Sequence, residues 1–197
     1  MSQFEYVMVL VSIIIGLGIA HILVGVGGII DRLSGHGDRL RTSLAHASWL
    51  GMIFAWMIMF WWWEFRWAEL QPEWTMGLYL FLVVYAVGLF LLAVVLVPTS
   101  WDGVTDLGEY FVRRRAWFYP LLMVVTVLDV VDGYLKGGWD YVVNAGGPWI
   151  WAFWIATFPV AVIGIRSRNR RYHAAVGTVF LVWQLLVGII TLPHLGF

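Results

Sequence analysis

The chain contains no cysteine, and charge is scarce in it: 12% of its residues are Asp, Glu, Lys or Arg, where an ordinary soluble domain carries roughly 25%. The missing thiols exclude disulfides, thiolate metal sites and cysteine nucleophiles. The shortage of charge excludes a water-soluble fold, because 61% of the 197 residues are hydrophobic and a core of ordinary size cannot hide that much apolar surface. Acids and bases balance to a net charge of zero, so nothing in the overall charge calls for nucleic acid as a partner. Also missing are a Gly-rich phosphate loop, GxSxG, HExxH and the paired intramembrane histidines that bind haem. No cofactor is expected on that basis, with haem or a pigment kept as an open alternative.

Long apolar runs are what the sequence has in place of charge. A membrane span needs about 20 apolar residues, and six segments meet or approach that length: 4–30, 45–67, 74–97, 117–135, 148–165 and 174–192. The runs are continuous rather than alternating, so they predict helices and not a barrel. The first lacks a basic leader and is longer than a signal core, which makes it a span rather than a cleaved leader. The expected fold is an all-α polytopic transmembrane bundle of six spans forming one transmembrane domain, 1–197. Pro98 stops span three, Pro148 starts span five, and Pro159 predicts a kink within it. Short loops predict that sequence neighbours pack as antiparallel neighbours.

Basic residues set the orientation. Loop one holds Arg32, Arg39 and Arg41, loop three Arg113, Arg114 and Arg115, and loop five Arg166, Arg168, Arg170 and Arg171, leaving only Arg66 and Lys136 for loops two and four. Loops one, three and five are therefore expected in the cytoplasm, with both termini outside. Asp106 followed by Glu109 resembles a capping box and predicts a short interfacial helix ahead of span four, its Arg113, Arg114 and Arg115 lying among anionic lipid head groups. Most of the fourteen tryptophans, Trp49, Trp61, Trp62, Trp63, Trp67 and Trp149 among them, fall near predicted helix ends and suit an interfacial belt. Trp183 lies mid-span beside Gln184, where its indole N–H needs a partner.

An ionisable group within hydrocarbon is costly and so a candidate for function. His21 stands near the middle of span one, on a stripe with Gly18, Gly25 and Gly28, while Ser12, Gly16 and Ala20 form a second small-residue stripe. A helix smooth on two faces is expected inside the bundle, its histidine serving as a proton relay or ligand or bonding a neighbouring helix. Asp129 and Asp132 share a stripe of span four with Thr126 and Lys136. Lys136 is placed to pair with Asp132. Asp129 is deeper, with no local base, so that burial favours its neutral form, as in proton pathways; a structural bond to another helix explains it equally well. Glu5, Glu64 and Arg66 mark a candidate outer mouth, within a group of acids that would attract cations, although solvated loop charge accounts for the same residues.

Phe4-Glu5-Tyr6, the run into Gly16-Leu17-Gly18 and His21, and Trp61-Trp62-Trp63 resemble a group of uncharacterised bacterial multi-pass membrane proteins. The resemblance implies a bacterial inner membrane and carries no activity. Two functions follow as expectations. One is a small channel or transporter for protons or another small cation, with His21, Asp129 and Asp132 as relays. The other is a non-catalytic accessory subunit or assembly factor of a larger membrane complex, in contact with lipid, with small-residue faces on span one that permit a homo-oligomeric contact.

Because the chain is naturally free of cysteine, single cysteines report topology without a background. Cysteines placed in loops one, three and five should all react with an impermeant maleimide from the same side of the membrane, and cysteines in loops two and four from the other. Labelling of the arginine-bearing loops from opposite sides would break the predicted threading.

Overall fold

The computed structural model describes residues 3–35, 39–70, 73–144 and 147–191. They form α1 (Gln3–Leu33), α2 (Leu44–Glu64), a short α3 (Arg66–Leu70), α4 (Met76–Leu96), α5 (Leu107–Asn144), α6 (Gly147–Arg166) and α7 (Arg170–Thr191). Six helical stretches are long and apolar enough to cross a membrane, with α3 continuing the α2 stretch. The chain is thus an all-α multi-pass membrane protein. The end of predicted span six, Leu192, lies outside the described residues, as do His36 and His194.

The helices make a ring in the order α1, α4, α5, α6, α7, α2, with α2 drawn inward so that it also meets α4 and α5. Sequence neighbours do touch, but the two most extensive pairings join distant segments, α2 with α7 and α1 with α4. Side-chain size explains this. Gly177 on α7 lies against Ser48 and Trp49 of α2, and Gly164 on α6 lies against the Tyr119 ring of α5, so closely that a Cβ at either glycine would overlap them. Between apolar helices in lipid, association comes from such close packing rather than from expulsion of water. Outward-facing Val24, Ile155 and Ile189 are more than half exposed, as lipid-facing positions should be.

Three expectations are corrected. The helix α1 is not central: it packs on α4 and α2 at the rim, its Gly18, Gly25 and Gly28 against Met57, Val97 and Trp101, while Gly16 and Ala20 face outward. The small residues signal how close a neighbour comes, not how many neighbours there are. The interfacial segment and span four are one helix, α5, which continues through Pro120. As expected, α6 continues past Pro159. Finally, Trp49 and Trp67 are in the core, not in a belt. Trp49 packs on Phe118, Tyr119 and Phe180, with ring centroids 5.0, 5.7 and 5.5 Å away, distances at which aromatic pairs attract. Trp139 and Trp149 are exposed near helix ends and do suit interfaces, whereas Trp117 is exposed well inside α5.

Near its far end α5 breaks at Gly137 and Gly138. Gly138 takes φ 67° and ψ −164°, a conformation open almost only to glycine. The helix axis is thereby redirected directly after Lys136.

Two polar clasps show which loops share an end. In the first, the Arg41 N–H donates to Thr105 O at 2.8 Å, the Leu107 N–H donates to Arg41 O at 3.0 Å, and Arg170 reaches Asp106 at 2.9 Å and Glu109 at 3.0 Å. Loops one, three and five thus converge at an arginine-rich end. Asp106 caps α5 by accepting the Glu109 N–H at 2.9 Å, whereas Glu109 turns to Arg170 and Arg113 instead of closing the box.

Partial burial works against the charged form of Asp106, but the Glu109 N–H and the Arg170 guanidinium outweigh it and hold the carboxyl below its ordinary value of 3.8. A depressed carboxylate contributes stability above its unfolded-state pKa and loses it as pH falls through the folded value. Asp106→Ala should therefore lower the stability of the purified protein by about 1 kcal/mol at neutral pH, the usual worth of a cap. In thermal unfolding, the gap between wild type and variant should narrow as pH falls below the ordinary carboxyl value of 3.8 and through the lower folded value. A gap independent of pH would assign the effect to packing.

Candidate functional site

The second clasp is buried at the opposite end, and it brings together acids from two helices. Glu64 ends α2, and α5 supplies Asp129, Asp132 and Lys136 on one stripe, since positions three and four apart share a helix face. Glu64 is 1% exposed, Lys136 4%, Asp132 5% and Asp129 8%. The ammonium of Lys136 donates to Glu64 Oε1 at 3.0 Å, to Asp132 Oδ2 and to the backbone O of Trp63 at 3.2 Å. All three of its N–H bonds are committed. The Trp67 indole donates to the other Asp132 oxygen at 3.2 Å, and its ring lies 5.7 Å from the ammonium, within cation–π range.

One turn deeper, Asp129 has no base. Its Oδ1 accepts from the Tyr85 hydroxyl of α4 at 2.6 Å and its Oδ2 from the Trp154 indole of α6 at 2.7 Å. The cluster therefore couples α2, α4, α5 and α6. It contains three carboxylates and one ammonium, and Glu64 Oε2 is buried without a hydrogen-bond partner. Such an orphan acceptor in a packed interior needs an occupant or a proton.

Two openings approach the cluster. An open cleft of about 520 Å³ at the Gly137 break is lined by Arg66, Leu70, Lys136, Asp140, Tyr141 and Asn144. Within the bundle, a crevice of about 10 Å³ touches Asp129, Trp56, Trp63, Trp154, Trp183 and Gln184, close to the roughly 10–15 Å³ that one water requires.

The residues singled out from sequence divide accordingly. Asp129 and Asp132 come together with Lys136, as their spacing implied. Glu64 is corrected: it does not line an open mouth but is sealed against Lys136, because α2 and α5 meet at their ends. Arg66 does line the cleft, pairs with Glu69 at 2.5 Å and lies over Tyr141. Glu5 is exposed near the start of α1 and does not line the cleft. His21 faces Phe90 of α4, ring centroids 6.4 Å apart, and its Nε2 is buried without a partner; it is not among the groups bonded to the cluster. Arg113 pairs with Glu109, Arg114 lies over Tyr110, and Arg115 donates to Val112 O at 2.5 Å. Trp183 finds its partner in the Trp149 carbonyl at 3.1 Å.

Sequence reading missed Tyr85, Trp154 and Trp67 as partners of the acids. All three are amphipathic aromatics, common in any membrane helix, and only the tertiary fold separates them from the rest. Glu64 carried a usable signal: an acid at the end of a long apolar run, when only one lysine exists in the chain.

Removing one partner of a buried charge network typically costs about 3–5 kcal/mol, because the other charges stay buried. Lys136→Met should lower the unfolding temperature in detergent accordingly, and adding Glu64→Gln with Asp132→Asn should restore most of the loss. A Lys136→Met protein as stable as wild type would mean that the lysine does not balance these acids. Compared with protein-family models, curated proteins and solved structures, the chain matches none.

Proposed function

We propose that the protein is a small transporter or channel for protons or another small cation, working through the buried carboxylates Glu64, Asp132 and Asp129. The observation that carries this reading is the imbalance of three buried acids around one lysine, with one carboxylate oxygen unpartnered. Fully ionised, the group would bear two uncompensated negative charges in a low-dielectric interior, a state costly enough to draw in protons or a cation. Loading and unloading such a site is the elementary act of a relay.

Access supports the same reading. The cleft reaches Lys136 from one end, and the crevice at Asp129 has room for about one water on the inner side. Between them Asp132 and Asp129 lie one turn apart on α5, and Glu64 shares Lys136 with Asp132, an arrangement in which a proton can pass among the acids by way of a bridging water. The glycine pair behind Lys136 supplies a place where the helix can bend. The arginine-rich end faces the cytoplasm and both termini face outward, following the loop charges, and the host membrane is a bacterial inner membrane.

The accessory-subunit reading is favoured by one feature, the outward stripe of Ser12, Gly16 and Ala20 on α1, where Gly16 has open space around it. Such a stripe lets another helix approach closely. Under that reading the protein would co-purify with a stoichiometric larger partner and stay inert in liposomes.

In liposomes with a trapped pH dye and a potassium shunt for charge balance, the wild-type chain should dissipate an imposed pH gradient. Asp129→Asn should slow that flux at least about tenfold, the usual scale for loss of a proton-transferring group. Glu64→Gln should slow it as well. A flux unaltered by either change, in protein of normal stability, would remove the cluster from transport.

A further inference from the structure

At the arginine-rich end, on the side away from the carboxylate cluster, α1 and α2 diverge around an apolar groove of about 310 Å³. Ile22, Val26 and Ile29 of α1 and Leu50 and Phe54 of α2 form its walls. From Ile22 to Ile29 it extends about 10 Å along α1 at 1.5 Å per residue. Its lining is hydrocarbon except toward one end, where Thr42, Ser43 and His46 stand, the His46 imidazole being already bonded to Leu96 O at 2.8 Å. The Ser43 hydroxyl makes no capping bond to α2.

Directly before these two residues come Arg39 and Arg41, both exposed and lining a recess of about 530 Å³ with Leu40. Among the described residues neither arginine has an ion-pair partner, in contrast to Arg66, Arg113 and Arg170. The nearby acids Asp106 and Glu109 are already held by Arg170. The backbone of Arg41 is fixed on both sides, by Thr105 and by Leu107, and Leu107 itself lines the groove. An apolar slot thus ends at an anchored segment that carries two arginines with no ion-pair partner among the described residues.

We infer that this groove is a binding site for one anionic phospholipid, an acyl chain lying between α1 and α2 and the phosphate held by Arg39 and Arg41. The occupant follows from complementarity at both ends. A hydrocarbon-walled slot between membrane helices suits a lipid tail, and two arginines without carboxylate partners among the described residues select a negative head group over a zwitterionic one, Arg being suited to bidentate contact with phosphate. A soluble anion would satisfy the arginines and leave the slot unused, whereas a neutral lipid would do the reverse. The site is independent of the transport reading, since none of its residues belongs to the carboxylate cluster.

The test uses the full-length protein, delipidated in mild detergent and titrated with phosphatidylglycerol, with phosphatidylcholine of identical acyl chains, or with glycerol 3-phosphate. Native mass spectrometry reads the number of lipids retained, and the unfolding temperature reads stabilisation. One phosphatidylglycerol per chain should be retained at about tenfold lower concentration than phosphatidylcholine, in line with the attraction of two arginines for an anionic head group. Arg39→Gln with Arg41→Gln should erase that preference, and Leu23→Trp, filling the groove from a half-exposed position, should weaken retention of both lipids. Equal retention of the two lipids by wild type would overturn the assignment. So would a preference that survives loss of both arginines, or saturation by glycerol 3-phosphate as strong as that by phosphatidylglycerol. The wild-type comparison decides the matter even if a variant fails to fold.

Discussion

A charge in hydrocarbon must be answered by another charge or by hydrogen bonds, and the placement of Lys136 satisfies that rule with the last turn of a different helix. Its three donors are spent on Glu64, Asp132 and the Trp63 carbonyl, so α2 and α5 cannot separate at this end without exposing bare charge. Much else follows from this contact. It places Trp67 on Asp132, draws α2 inward, and leaves Asp129 one turn deeper, where aromatic donors from α4 and α6 complete its shell. Buried ion pairs seldom add net stability over an apolar alternative, because desolvation offsets the attraction. A cluster with more acids than bases is harder still to justify as scaffolding, and this excess is what the proposed transport role rests on.

How much of this the sequence revealed depended on the range of the interaction. Apolar runs are local, so the six spans were legible to within a turn or so at most ends. The Asp132 and Lys136 pair was legible for the same reason, being four residues apart on one helix. The join of Lys136 to Glu64 spans 72 residues and required knowing that α2 and α5 meet. Tyr85 and Trp154 were invisible because nothing in an isolated apolar helix distinguishes an aromatic that faces lipid from one that faces a carboxylate. Trp49 and Trp67 misled for a related reason: proximity to a helix end suits both a belt and a core, and only burial decides. The glycines of α1 were read correctly as a close-packing face, but packing closeness does not reveal whether a helix sits at the centre or the rim.

The two clasps of the bundle differ in kind. At the arginine-rich end, Arg170 bridges Asp106 and Glu109 with side chains that are about one fifth to one half exposed. Such pairs contribute about 0–1 kcal/mol and weaken as salt screens them over roughly 8–10 Å. At the other end the side chains of Lys136 and Glu64 are 2% exposed, and mobile ions do not reach between them. Added salt therefore loosens one end and leaves the other intact.

That asymmetry bears on where the bundle can open. A weak, screened clasp costs little to break, yet the arginine-rich end is also fixed by the paired backbones of Arg41, Thr105 and Leu107, which salt does not touch. The buried clasp is strong, but the α5 backbone is interrupted immediately beyond it at Gly137 and Gly138, and the open cleft adjoins that break. Its strength also depends on charge: placing a proton on Glu64 or Asp132 removes much of the attraction to Lys136, whereas no comparable event acts on a backbone pair. The end that is tighter at rest is therefore the end whose hold would change with occupancy under the proposed function, where binding of a proton and bending of the helix would act on the same few residues.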